Sequence, residues 1–299
     1  VIRDFPVPPG VRASTSPDPA VTPDRTEPAG SPGGDPVDVP VRDAATVMLV
    51  RDRPAGVEVF VFRRVASMAF AAGMHVFPGG RTDPTDADPR VPWEGPGAGW
   101  LAAALSAPPD LARALAVAAV RETFEECGVL LAAPPGGGPV VGLPTGRAGA
   151  RESMRQALLD GTAGLADVLL DAGLVLRADT LRPWARWVTP PGERRRYDTR
   201  FFVAAMPPEQ EALDLGGEGE RAEWIGAAEA VRRYRSGRAR MMPPTIVTLE
   251  EIAAAPDVAT LCTTRRVIAP VMPWFVRSDD GAATVRVALD GRGGGRAGP

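Results

Sequence analysis

Apolar and polar positions order the first half of the chain into short strands. Residues 45–50 (Ala-Thr-Val-Met-Leu-Val) form a β-rich run, and residues 57–62 (Val-Glu-Val-Phe-Val-Phe) alternate as a half-buried strand does. Residues 51–56 read as the turn between them. Residues 74–77 predict a third short strand ending on Pro78-Gly79-Gly80, where glycine permits torsions and close approaches that a β-carbon forbids. Leu111, Leu115 and Ala118 then share one helical face; Asp110 is placed to cap that helix and Gly128 to end it. Residues 149–172 predict two helical pieces separated by Gly161, with Met154, Leu158 and Leu159 in one and Leu165, Val168 and Leu169 in the other. Strands follow at 184–189, 197–206 and 224–225, helices at 227–236 and 244–254, and late strands at 267–270 and 284–289. Strands and helices mixed without regular alternation predict an α/β protein, an α/β/α sandwich around a mixed β-sheet.

Composition divides this pattern into regions. Residues 1–38 are dense in Pro, Gly, Ser, Asp and Thr, and such a segment buries too little surface to offset its ordering entropy, so a disordered tail is expected. Residues 291–299 read the same way, which leaves one domain over 39–290. Within it, 81–108 is rich in Pro, Gly and Asp and reads as a mostly irregular insert, with Trp93 and Trp100 packing part of it on the body. Residues 134–144 and 216–219 read as loops, and 145–180 as a helical insertion.

The bulk numbers exclude some partners. A hydrophobic content of 44% supports a core, and a net charge of −3 gives no basic footprint for nucleic acid. All 34 cationic side chains are Arg, which meets phosphate through a fork rather than as a point charge. Cys127 and Cys262 make no disulfide framework. No apolar run reaches the length of a membrane span. No secretory pattern opens the sequence, and its Ala-Gly-Pro end is no peroxisomal address, so the expected compartment is the cytoplasm.

The chemistry concentrates in Arg121-Glu122-Thr123-Phe124-Glu125-Glu126-Cys127-Gly128. Glu122, Glu125 and Glu126 stand at i, i+3 and i+4, which places three carboxylates on one helical face. Such a face is either solvated surface or a seat for a hard divalent cation, Mg²⁺ or Mn²⁺, which takes oxygen ligands and keeps positions for water and phosphate. With Phe77-Pro78-Gly79-Gly80 upstream, the reading is a metal-dependent enzyme acting on a phosphate-containing substrate.

These residues resemble the Nudix hydrolase box: Gly, five residues, Glu, seven residues, Arg-Glu, an apolar residue, any residue, Glu-Glu, any residue, Gly, an apolar residue. Gly80 opens it, and Arg121, Glu122, Glu125, Glu126, Gly128 and Val129 close it. Gly80 and Arg121 lie 41 positions apart where the box has 14, an excess of 27 residues. Thr123 fills an apolar slot. Arg113 stands where counting back from Arg121 reaches the first Glu, whereas counting forward from Gly80 reaches Asp86 as its replacement. The interrupted box, the Gly-Gly-x-x-Asp-Pro-x-Asp run at 79–86, residues 187–190, the Arg-Arg-Tyr-Asp-Thr-Arg-Phe-Phe run at 195–202 and Pro243-Pro244-Thr245 are similar to the organellar acyl-coenzyme A diphosphatase branch. A Leu-Arg-x-His-x-Gly-Gln run typical of other coenzyme A diphosphatases is absent.

The resemblance implies a Nudix-type sandwich with the loop insert inside the box, and Mg²⁺ or Mn²⁺ held by Glu122, Glu125 and Glu126. It implies Glu125 and Glu122 as catalytic carboxylates, with Arg121 orienting a glutamate. Glu218 and Glu220, after a Gly-Gly turn, are candidates for a further metal-binding acid or ordinary loop acids. Gly79, Gly80, Arg195 and Arg196 are candidate substrate contacts, while Arg194 reads as solvated. His75, Trp184, Trp187 and Cys127 read as packing residues. The expected partner is a small nucleotide-type molecule: coenzyme A, an acyl derivative, ADP-ribose, a dinucleotide polyphosphate or NADH. A second copy of the chain is a further candidate partner, and no membrane or nucleic acid is expected. The competing class is a nucleotide-sensing module without turnover.

Overall fold

The computed structural model describes residues 1–7, 39–64, 73–138, 140, 148–214, 220–266, 268–277 and 282–289. Strand β1 (Ile2–Pro6) precedes β2 (Val41–Arg53), which turns at Gly56 into β3 (Gly56–Arg64). From Ala44 to Val50 all but one side chain of β2 is buried, because this strand has helices on both faces. Next, β4 (Met74–Val76) pairs with β3, and β5 (Gly79–Arg81) crosses to pair with β2. Gly79 makes the crossing at φ 150°, opposite Thr46. A β-carbon there would lie 2.7 Å from Thr46 Cα, so glycine is required.

The insert, expected to be mostly irregular, is regular over half of its length. It contains a 3-10 turn (Pro84–Ala87), β6 (Trp93–Glu94) and α1 (Ala98–Leu105). The Leu-Ala-Ala-Ala-Leu run forms a helix because Leu101 and Leu105 are fully buried against the body. Then α1 bends 89° into α2 (Pro109–Cys127). Asp110 lies in the first turn of α2 and does not cap it; the N-cap is Pro108, without a side-chain bond. Gly128 ends the helix in the left-handed conformation at φ 71°, as expected.

The next elements are β7 (Ala132–Ala133), α3 (Ala148–Leu159), α4 (Leu165–Ala172) and β8 (Val175–Arg177). Strand β8 pairs with both β6 and β7, so a small sheet joins the box insert to the helical insertion. The chain then adds β9 (Arg182–Val188), β10 (Arg196–Ala205), β11 (Glu220–Gly226), α5 (Ala227–Arg235) and β12 (Arg240–Met241). It continues with α6 (Pro243–Ala253), α7 (Val258–Thr263), β13 (Pro270–Val271), β14 (Trp274–Arg277) and β15 (Ala283–Ala288).

The main sheet runs β12-β4-β3-β2-β10-β9-β13, with β11 on β3 and β5 on β2. It is mixed: β10 is parallel to β2 and antiparallel to β9. Ala45, Val47 and Leu49 face a core formed with α1, α2 and the helical insertion, whereas Met48 and Val50 face a second core with α5, α6 and α7. This is the expected α/β/α sandwich. Among the described residues no single helix is long and apolar enough to cross a membrane.

The N-terminal reading needs correction over its first residues. Strand β1 pairs antiparallel with β15, buries Phe5 to 3% exposure, and anchors to α6 through Arg3 and Glu250. Isolated apolar residues (Ile2, Phe5) gave too weak a pattern to reveal a strand whose partner lies at the other end of the sequence. Residues 8–38 and 291–299, and the 216–219 loop, lie outside the described residues. Phe5→Ala is expected to lower stability by about 3 kcal/mol, read as a shift of the urea unfolding midpoint at unchanged slope.

Candidate active site

Arg121 is the centre of the site. It lies near the end of α2 with only 10% of its side chain exposed. Its Nε and Nη2 donate to the two oxygens of Asp86 at 2.8 and 3.0 Å. Nη1 donates to Glu122 Oε1 at 2.9 Å and to both Glu125 oxygens at 3.2 Å, and Nη2 also reaches the Arg81 carbonyl at 3.0 Å. Burial acts to lower the Arg121 pKa, but bonding to Asp86 and the charges of Asp86, Glu122 and Glu125 hold it above the usual range.

Asp86 is delivered by the 3-10 turn. Asp83 caps that turn and accepts from Thr85 N–H at 2.9 Å, while Asp86 accepts from Asp83 N–H at 2.7 Å. The turn thus brings Asp86 to Arg121, although 35 residues separate the two in sequence. Arg113, which stands where the backward count expects a glutamate, does something else. It donates to the carbonyls of Asp88 and Val91 at 2.9 and 2.8 Å, tying the insert to α2.

The two glycines of β5 receive the helix. Gly79 N–H donates to Glu126 Oε2 at 2.7 Å. A β-carbon on Gly80 would lie 2.6 Å from Glu122 Cδ, so this glycine makes room for the carboxylate. Burial pushes the Glu122 pKa up to about 7, with the Glu125 charge adding to the rise and Arg121 opposing it. Burial likewise raises Glu125.

The helix end is secured from outside the box. Leu213 N–H donates to the Cys127 carbonyl at 3.0 Å, and Arg155 Nη1 to the Glu125 carbonyl at 2.8 Å. The Gln210 side chain exchanges two bonds with the Leu130 backbone, at 2.9 and 2.8 Å. Sequence reading missed these residues. Arg155 belongs to no box position, and its contact joins segments whose spacing carries no periodicity.

Other candidates fall elsewhere. Arg195 is exposed in the turn before β10. Arg196 bonds the carbonyls of Thr189 and Val39 and pairs in register with Val41, four positions along β2 from Ala45, the partner of Gly80. From the same run, Arg200 shares a row with Ala45 and Gly80; it is 2% exposed and pairs with Asp198 at 2.6 Å. Glu218 lies outside the described residues; Glu220 opens β11, and its side chain is likewise outside them. His75 is 4% exposed, with Nε2 at 3.4 Å from Glu223. Trp184 and Trp187 are each 3% exposed, and Trp184 donates to Glu251. The Cys127 thiol is fully buried, donates to the Thr123 carbonyl, and has its pKa raised by burial. These four are packing residues, as read from the sequence.

The donor set suits a hard cation. One guanidinium faces Asp86, Glu122 and Glu125, with Glu126 one residue further along the helix, and every oxygen offered is a carboxylate oxygen. Among the described residues the carboxylates converge on the guanidinium, and no group of three or more His, Cys, Asp or Glu is arranged to hold a metal ion. Glu125 is held by Arg121, and Glu126 accepts from Gly79 through Oε2. Asp86→Asn is expected to cost about 3 kcal/mol, because it removes the buried carboxylate that takes two bonds from the guanidinium and leaves only Glu122 and Glu125 to balance it; chemical denaturation compared with the parent chain checks this.

A family model, the NUDT19 Nudix domain, matches residues 102–252. That span holds Arg121 to Gly128 but neither Gly80 nor Asp86, whose place in the box rests on the contacts above. The acyl-coenzyme A diphosphatase NUDT19 of Gallus gallus is 28% identical over 253 residues, covering 70% of this chain and 67% of its own length. The Homo sapiens protein of that name is 31% identical over 240 residues, covering 68% of this chain and 62% of its own. The chain thus spans 62–67% of the length of these two relatives. A crystal structure of a NUDIX hydrolase from Alicyclobacillus acidocaldarius superposes with a TM-score of 0.63 at 31% identity, covering 77% of this chain and 98% of that one. On this match of sequence, fold and box geometry, the chain belongs to the NUDT19 Nudix domain family of Nudix hydrolases.

Proposed function

We propose that this chain hydrolyses the diphosphate bond of coenzyme A or an acyl-coenzyme A, releasing 3′,5′-ADP and the corresponding phosphopantetheine. The observation that carries the hydrolytic reading is the Arg121 cluster, which fixes Asp86, Glu122 and Glu125 around one buried guanidinium. The substrate class is supported by relatives named acyl-coenzyme A diphosphatase.

A phosphoric anhydride resists water because its own charge repels nucleophiles. Mg²⁺ or Mn²⁺, held by Glu122, Glu125 and Glu126, would neutralise that charge and acidify bound water. The protein's own part is to hold the three glutamates on one face and to keep a proton acceptor ready. Burial raises both Glu122 and Glu125 above the ordinary carboxylate range, and whichever of them is not bound to the ion would take the proton of an attacking water. Arg121 keeps both oriented and keeps the Asp86 loop against the helix.

A panel of coenzyme A, acetyl-coenzyme A, ADP-ribose, NADH and a dinucleotide polyphosphate, resolved by mass spectrometry of products, tests the substrate. The expected products are 3′,5′-ADP and a phosphopantetheine; AMP released from ADP-ribose or NADH, with coenzyme A untouched, would move the assignment to those substrates. Glu125→Gln and Glu126→Gln are each expected to lower kcat roughly a hundredfold or more. Calorimetric titration of the parent chain with Mn²⁺ should give measurable uptake that both variants weaken. No turnover of any substrate by the parent chain would favour the sensing module instead.

A further inference from the structure

The helical insertion touches the Arg121 cluster at both of its ends. At one end, Arg155 of α3 donates through Nη1 to the Glu125 carbonyl at 2.8 Å. The helix ends two residues later at Cys127, and the left-handed Gly128 turns the chain away, so this carbonyl belongs to the last turn of α2, where acceptors need partners from outside. The same guanidinium is aimed by its own helix: Nε and Nη2 fork onto the two oxygens of Glu152 at 3.0 and 2.7 Å. Only 13% of the Arg155 side chain is exposed, and its cation stands at the end of α2 where a positive charge is favoured. At the other end, Gly164, which begins α4, packs on Thr85 of the turn that delivers Asp86; a β-carbon there would sit 3.5 Å from Thr85 Cβ. Asp167 of α4 accepts from Arg90, which also forks onto Asp88.

We infer that Arg155 is a positioning residue for Glu125, the helical insertion acting as a brace that sets the last turn of α2 against the Asp86 loop. This rests on the hydrolytic reading of the site. Arg155 bonds a backbone carbonyl; its effect reaches the carboxylate through the position of the Glu125 backbone and through its charge, which acts on Glu125 across space. An error of a fraction of an ångström at this backbone is enough to slow a reaction that depends on alignment. Glu152 orients Arg155 and is half exposed, so it is removable with little cost to packing.

The test compares Glu125→Gln, Arg155→Ala, Arg155→Lys and Glu152→Gln in the full chain, with coenzyme A and Mg²⁺, well below the melting temperature of each. Arg155→Ala is expected to lose about tenfold in kcat with KM for coenzyme A unchanged. Arg155→Lys, which keeps a cation and a donor, should recover part of that loss, and added methylguanidinium should restore kcat in Arg155→Ala but not in Glu125→Gln. Glu152→Gln should fall between parent and Arg155→Ala, and it carries the test should Arg155→Ala fail to fold. An unchanged kcat in Arg155→Ala or, if that chain is unfolded, in Glu152→Gln, beside an inactive Glu125→Gln, overturns the positioning role alone. So does a loss that neither lysine nor methylguanidinium relieves. A fully active Glu125→Gln overturns the reading of the site and the brace with it.

Discussion

The buried pair between Arg121 and Asp86 is the constraint on which the site depends. Taking both charges out of water is costly, and what offsets the cost is geometry: two parallel bonds, and further acceptors from Glu122, Glu125 and the Arg81 carbonyl. No apolar contact would fix the loop to the helix with the same directionality. The pair also explains how the box tolerates its interruption. The segment between the 3-10 turn and α2 can be long, provided Asp86 returns to the guanidinium; the cost of closing a longer loop rises only slowly with its length.

The two insertions share this logic. They are far apart in sequence, yet β6, β7 and β8 form one small sheet, and Arg90 links Asp88 of one insertion to Asp167 of the other. Leu101, Leu105, Leu165 and Leu169 all belong to the core that also buries the apolar face of α2. The insertions therefore extend the packing on the helix side of the sheet. The opposite face, filled by α5, α6, α7 and the β1-β15-β14 sheet, supports the strands from the other side.

Much of this was legible in the sequence because it is local. The carboxylate spacing, the helix-ending Gly128 and the short strand ahead of Pro78 each follow from a period or a torsion within a few residues, whereas Gly79 and Gly80 themselves belong to the next strand. Counting forward from Gly80 also placed Asp86, and the bonds to Arg121 give the reason: the short turn carries the aspartate to the helix. What escaped was non-local. Phe5 becomes a core residue only when β15 lies beside β1. The α1 segment looked irregular because Pro and Gly surround it, although its own leucines have helical spacing. Arg155 and Gln210 act on backbone groups, and a side chain that meets a backbone group leaves no partner residue type to search for. Arg195 and Arg196 stand out in the sequence by charge and by the 195–202 run, while the arginine in the Gly80 row is Arg200, 2% exposed and paired with Asp198.

Cys127 gives the site-bearing helix a reporter of its own. Its sulfur is sealed behind α2 one residue beyond Glu126, and burial keeps it in the unreactive thiol form. An alkylating reagent reaches it only when the last turn of the helix comes away from the body, so its labelling rate measures that opening event directly. Cys262, half-buried on α7, stands on the other face of the sandwich and supplies an internal reference for the same reagent.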